Sequence, residues 1–194
     1  MQYTIVADTG ASIIKLLKDN LAPEPVQNPD MIGLCSPYDK GDFVLCLHLY
    51  DVQENGENRL VDMETLSSDK QKYPPLSLTL FYMMTVISNE EIATRSLNEQ
   101  RIFGKAIQVL YDNPILTGGS LVGAAAENYE PINIIPNNMT FEEKSILWNF
   151  QNSPYRMSVF YKAAPIYVAS TRIRQARRVV ETNYSVKKNE NIKR

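Results

Sequence analysis

The spacing of hydrophobic positions changes several times along the chain, and each change marks an element. Over residues 4 to 21, Ile13, Leu16, Leu17 and Leu21 recur at three- and four-residue intervals while Lys15, Lys18 and Asp19 face elsewhere, which predicts an amphipathic helix. The segment APEPVQNP ends it, because its three prolines forbid helix and stiffen an extended connector. From Phe43 to Val52 the period falls to two. Phe43, Leu45, Leu47 and Leu49 alternate with Val44, Cys46, His48 and Tyr50, so a strand buries a leucine face and leaves a mixed one. Asn-Gly within QENGEN predicts a turn, and a polar loop is expected to run on to Pro75. A second long strand is expected over Leu76 to Ile87, where Leu76, Leu78, Leu80 and Tyr82 alternate with Ser77, Thr79 and Phe81.

The second half opens on Ser88 with Glu91, the spacing of a capping box, which predicts a long helix starting there. Ile102, Phe103, Ala106, Ile107 and Leu110 form its buried stripe, and Asn113-Pro114 ends it. LTGGSLVGAAAEN reads as a small-residue loop followed by a short apolar piece, INII. Thr140 with Glu143 repeats the capping box and opens a short helix reaching Trp148. In YRMSVFYKAAPIYVAS the last strand puts Met157, Val159 and Tyr161 on one face. Pro165 lacks a ladder donor and so implies an edge or a bulge. The order helix, strands, helix, short helix, strand predicts an α+β fold, a mixed and mostly antiparallel sheet flanked by helices. Residues 1–170 are expected to form one domain, and 171–194 a basic tail or arm.

Composition adds little to this picture, but charge does. The net charge of -2 is uneven: from Arg172 onward eight Lys/Arg face two Glu, whereas the rest of the chain carries 12 basic against 20 acidic residues. An acidic body with a basic tail points to an interaction segment. Nucleic-acid binding is one use of such a tail, although no reading helix accompanies it; docking on an acidic neighbour, another copy included, is a second. The opening MQYTIVADTG lacks a secretory pattern and LTLFYMMTVI is too short to span a bilayer, so a cytoplasmic protein without a membrane partner is expected. Cys35 and Cys46 lie in apolar segments and read as reduced thiols.

Candidate chemistry is sparse. A single histidine, His48, placed mid-strand, excludes a two-His metal site, and the cysteine spacing is not that of zinc; neither metal nor cofactor is expected. GGSLVG at 118–123 has Walker-like glycine spacing, but Ala124 and Ala125 stand where Lys-Ser/Thr must follow. Asp8-Thr9-Gly10 spells the catalytic motif of aspartic proteases. Such an enzyme needs two carboxylates on loops that follow strands, and here one copy occurs, just before a helical stripe. A dimeric protease therefore remains only as a remote alternative, and the chain is expected not to be an enzyme.

Several blocks, in order, carry a family likeness. The N-terminal helix precedes a Pro-rich break; IGLCSP is followed by LCLHLYDVQEN; YPPLSLTLFYMMTVIS supplies a Pro-Pro-Leu strand. EQRIFGKAIQVLYDNPILTG ends a helix on Asp-Asn-Pro, and MTFEEKSILWNFQNSPYRMSVFYKAAPIYV joins a Leu-Trp helix to a Tyr-Arg-x-Ser strand. Over roughly residues 1–170 this set resembles the N-terminal domain of the tail-cap, or tail-terminator, proteins of extracellular contractile injection systems, phage-tail-like particles of the virulence-cassette and antifeeding-prophage type. Longer relatives carry further chain beyond this point. The resemblance implies a phage tail-terminator-like fold and a structural role: a homo-oligomeric ring, a hexamer in such families, that ends tube and sheath polymerisation and stabilises the extended sheath. The expected partners are tube and sheath proteins, in a particle assembled in the cytoplasm and then released. Candidate contact residues are Tyr155, Arg156, Tyr161 and Tyr167 on the last strand, and Arg172, Arg174, Arg177 and Arg178 after it.

Overall fold

A computed structural model describes residues 2–128, 130–149 and 154–175. The chain divides into two units, one comprising residues 1–60 with 75–169 and the other residues 61–74 with the segment from Ser170 onward.

The larger unit is a six-stranded sheet with helices on both faces. Helix α1 (Ile5–Leu21) is followed by β1 (Ile32–Leu34), β2 (Leu45–Glu54), β5 (Leu76–Val86), α2 (Ile92–Asp112), β6 (Ile115–Leu116), β7 (Ile132–Pro136), α3 (Phe141–Leu147) and β8 (Ser158–Val168). Two further strands, β3 (Glu64–Ser67) and β4 (Lys70–Lys72), belong to the smaller unit. The sheet order is β1-β2-β5-β8-β7-β6; β1 runs parallel to β2 and every other pair is antiparallel.

The leucine face read from the sequence is the one under α1 and α2. Leu45, Leu47, Leu80, Tyr82, Met84 and Ile166 pack there with Ile13, Leu17, Leu21, Phe103, Ala106 and Leu110 from the helices. Each fully buried aliphatic side chain of this kind contributes about 1.5–3 kcal/mol through removal from water. Ile135, Phe81 and Met83 alternate to the other face, where Met83 meets Phe160 and Trp148 in a smaller cluster.

Three local expectations meet the structure: a bulge at Pro165 and the capping box at Thr140 are found, and the capping box at Ser88 is not. Pro165 lies not at an edge but in central strand β8, where Leu78 pairs Ile166 and Leu80 pairs Ala163: the single residue Thr79 of β5 faces two of β8, Ala164 and Pro165. The irregularity is a bulge, and pairing with β7 stops at Ala164, so no neighbour requires the missing N–H. Ser88 does not open α2, which starts at Ile92 after Glu91. Its hydroxyl accepts the Glu90 N–H at 3.1 Å, and its own N–H donates to the Glu99 carboxylate at 2.9 Å, so the reciprocal partner comes from inside the helix. Thr140 and Glu143, by contrast, do form a reciprocal box, with bonds of 3.3 and 2.8 Å at the start of α3.

The smaller unit is a three-stranded antiparallel sheet, β3-β4-β9, with β9 at Ile173–Gln175. The polar run before Pro75 thus contains a hairpin rather than loop alone. Lys72 pairs with Glu64 at 3.5 Å, and the Arg172 guanidinium lies 4.2 Å from the Tyr73 ring centre.

His48 sits half-buried on β2, opposite Met83, and burial holds its pKa below the usual histidine value. The unfolded chain binds the proton near 6.5, the folded chain only at lower pH. Stability is therefore complete above about pH 6.5 and falls as pH drops through the folded value. Urea midpoints at neutral and mildly acid pH should differ less in His48→Gln than in the parent chain.

Candidate functional site

The two motifs that invited an enzymatic reading meet in space. Asp8 lies in the first turn of α1, and its carboxylate accepts the Ala124 N–H at 2.8 Å. One turn later, the Ser12 hydroxyl accepts the Val122 N–H at 2.9 Å and donates to the Asp8 carbonyl at 2.7 Å. Thr9 is buried and donates to the Ile5 carbonyl at 2.7 Å. A Cβ on Gly10 would lie 3.1 Å from Leu34 and 3.3 Å from the Tyr82 hydroxyl, so this position keeps the helix close to the sheet. Gly123 has φ +54°, and the Asp8 carboxylate occupies the place of its absent Cβ. Asp8-Thr9-Gly10 is thus the helix side of a helix–loop contact, and GGSLVG is its loop side. A protease carboxylate would stand on a loop after a strand; Asp8 stands in a helix with an oxygen engaged.

The cysteines are also structural in their setting. Gly33 pairs with Cys46, and the Cys35 N–H donates to the Leu47 carbonyl at 3.3 Å, which places Cys35, just after β1, diagonally across from Cys46 on β2. Both thiols are free. Their mutual hydrogen bond lowers the pKa of Cys35 and raises that of buried Cys46. Among the described residues no cluster of His, Cys, Asp and Glu could hold a metal, and no helix is long and apolar enough to cross a membrane.

Among the described residues, the short α3 and its flanks lie on the sheet face opposite α1 and α2 and form an aromatic ledge. Trp148 is the anchor: 3% exposed, it packs on Met83 and Phe160, and its indole N–H donates to the Ser158 hydroxyl at 2.9 Å. Tyr38 and Tyr155 meet the indole edge-on, with ring centres 6.2 and 6.1 Å away. Tyr155 in turn touches Phe141 at 5.3 Å, and Lys144 lies 5.9 Å from the Phe160 ring. Phe141 is 65% exposed, Tyr155 43%. Buried Trp148 therefore fixes a surface made of rings that solvent still reaches, the arrangement expected of an interface anchor.

Against the sequence-based candidates, Tyr155 lies on this ledge, and the Arg156 carbonyl accepts the Ser158 hydroxyl at its root at 3.0 Å. Tyr161 and Tyr167 are buried within the chain. Their places in β8 turn them inward, to 6% and 2% exposure, and the Tyr167 hydroxyl donates to the Asn58 carbonyl at 3.1 Å. Arg172 and Arg174 are exposed in the smaller unit, where Arg174 pairs with Gln71; Arg177 and Arg178 fall outside the described residues. Phe141 and Tyr38 were not singled out from sequence. The signal available for Phe141 is an aromatic residue at the first position after the N-cap Thr140, where it cannot face the core together with Leu147.

Comparison with known proteins gives this fold a place. The sheath/tube terminator of an extracellular contractile injection system, PVC, in the extended state, superposes with a TM-score of 0.67 at 14% identity, covering 97% of this chain and 65% of the terminator. The tube-terminating cap of the anti-feeding prophage superposes at 0.63 and 14% identity, covering 93% of this chain and 61% of the cap. The chain thus spans somewhat under two thirds of the length of either. No curated protein matches it. The model of the Pvc16 N-terminal domain matches residues 8–182, and that extent, almost the whole of the sheet and its helices, makes the chain a member of the Pvc16 N-terminal domain family.

Proposed function

We propose that this chain is a structural cap subunit, which ends the tube and sheath of a phage-tail-like contractile particle and stabilises the extended sheath. The observation that carries the reading is the similarity, over nearly all of this chain, to domains of a sheath/tube terminator and a tube-terminating cap. The geometry is consistent with it: the exposed rings of Phe141 and Tyr155 gather around buried Trp148, and Asp8-Thr9-Gly10 is used in packing. In this reading the subunits form a homo-oligomeric ring, a hexamer, assembled on the particle in the cytoplasm, with the ledge around Trp148 facing tube or sheath protein. Residues 1–170 act as the terminator-like domain and the basic segment after them as an arm. Such a ring needs one face matching the growing end and another that offers no site for addition.

Deletion of the gene tests this. The expected result is particles with tubes of irregular length and sheaths that fail to stay extended, visible by electron microscopy and restored by the gene in trans. Tails of unchanged, uniform length with intact sheaths would overturn the proposal.

A further inference from the structure

Beside the aromatic ledge, the same sheet face forms a groove of about 460 Å³. Its floor includes Phe81, Asn133, Ile135 and Lys162 from β5, β7 and β8; one wall is the turn at residues 53–58, and Glu130 stands at the rim. Three exposed carboxylates, Glu54, Glu57 and Glu130, line it against one cation. That cation, the Lys162 ammonium, lies 5.7 Å from the centre of the Phe81 ring, so the floor already receives a basic side chain on an aromatic face. Ion pairs among the described residues join Lys18 to Asp30 and Lys72 to Glu64, and neither engages the groove.

The chain itself contains a complementary segment. Residues 176–194 carry six Lys/Arg against Glu181 and Glu190, while the remaining residues carry 14 basic against 20 acidic. Tyr184, Val186 and Ile192 are interspersed among those cations, giving a basic sequence with apolar side chains suited to a floor of Phe81 and Ile135.

We propose that residues 176–194 of a neighbouring copy dock in this groove. The arm and the groove are different surfaces, so the contact is head-to-tail, the kind that repeats around a closed ring. The inference rests on the cap reading in so far as the partner is a second copy.

The test uses the full chain with a photo-crosslinking phenylalanine analogue at position 184, mixing heavy-nitrogen-labelled and unlabelled copies before irradiation. Mass spectrometry should find mixed-isotope products joining residue 184 to peptides containing residues 53–58 or 130–135. Glu57→Lys with Glu130→Lys should lower their yield roughly tenfold, and Lys187→Glu with Lys188→Glu in the partner copy should restore it. Products within one isotope only, products at another surface or with nucleic acid, a yield indifferent to charge reversal, or no product at all would each overturn the inference. These outcomes are separable from failure of the cap reading, which the deletion strain decides independently.

Discussion

Alanine at position 123 is expected to lower the stability of the folded chain by about 2–4 kcal/mol, the sum of a left-handed backbone now carrying a Cβ and an overpacked contact. The backbone there has φ +54°, and the new Cβ would lie 2.6 Å from the Asp8 carboxylate, far inside contact distance. Asp8 cannot simply withdraw, because it accepts the Ala124 N–H at 2.8 Å. Asp8→Ala on its own should cost about 1–3 kcal/mol by leaving that N–H without its acceptor. Together the two substitutions should cost less than their sum, because removing the carboxylate makes room for the methyl group. Urea denaturation of the two single variants and the double variant gives the three numbers. An unchanged midpoint for Gly123→Ala, or strict additivity, would refute the account of this contact. Asp8→Asn retains an acceptor oxygen and should cost less than Asp8→Ala, whereas a catalytic carboxylate would not tolerate the exchange.

That contact also illustrates which parts of the structure the sequence made legible. The periods of Ile13 to Leu21 and of Leu45 to Leu49 reflect one face buried against another, and the elements formed as read. The capping box at Thr140 is local chemistry and held for the same reason. Asp8 and Gly123 are separated by more than a hundred residues, so neither motif could reveal the other, and each resembled an active-site fragment alone. Strands β3, β4 and β9 were missed because their sheet is exposed along most of its length, and a strand without a buried face has no alternation to read. Strands β1 and β6, of three and two residues, are too short to show a period. The aromatic ledge combines Tyr38, Phe141, Trp148 and Tyr155 from three stretches of chain. Sequence placed Tyr155 in an apolar and aromatic run but could not tell its outward ring from the inward rings of Tyr161 and Tyr167. Positions 155, 161 and 167 share one parity, so alternation alone cannot separate them, and Tyr155 lies ahead of β8, which begins only at Ser158.

Replacing Phe141 and Tyr155 together by Asp should abolish capping while leaving the domain folded. Their rings are 65% and 43% exposed and touch each other at the rim of the ledge, so little core packing is lost. Substitutions at such positions usually change stability by no more than about 0.5 kcal/mol each. Buried aromatic anchors of an interface, however, are worth about 2 kcal/mol or more apiece, roughly thirty-fold in affinity each, and a carboxylate in their place adds a desolvation cost. Trp148→Ala makes the opposite control. It removes a side chain that is 3% exposed and hydrogen-bonded to Ser158, and should cost about 3–5 kcal/mol of stability, so its loss of capping would report unfolding alone. Thermal melts followed by circular dichroism separate the two cases, and complementation of a deletion strain reads capping as the distribution of tail lengths. A double Asp variant that melts like the parent yet yields irregular tails identifies the ledge as the contact with the growing end. Uniform, sheathed tails from that variant would move the contact elsewhere, to surfaces such as the edges of β1 and β6 that the ledge does not include.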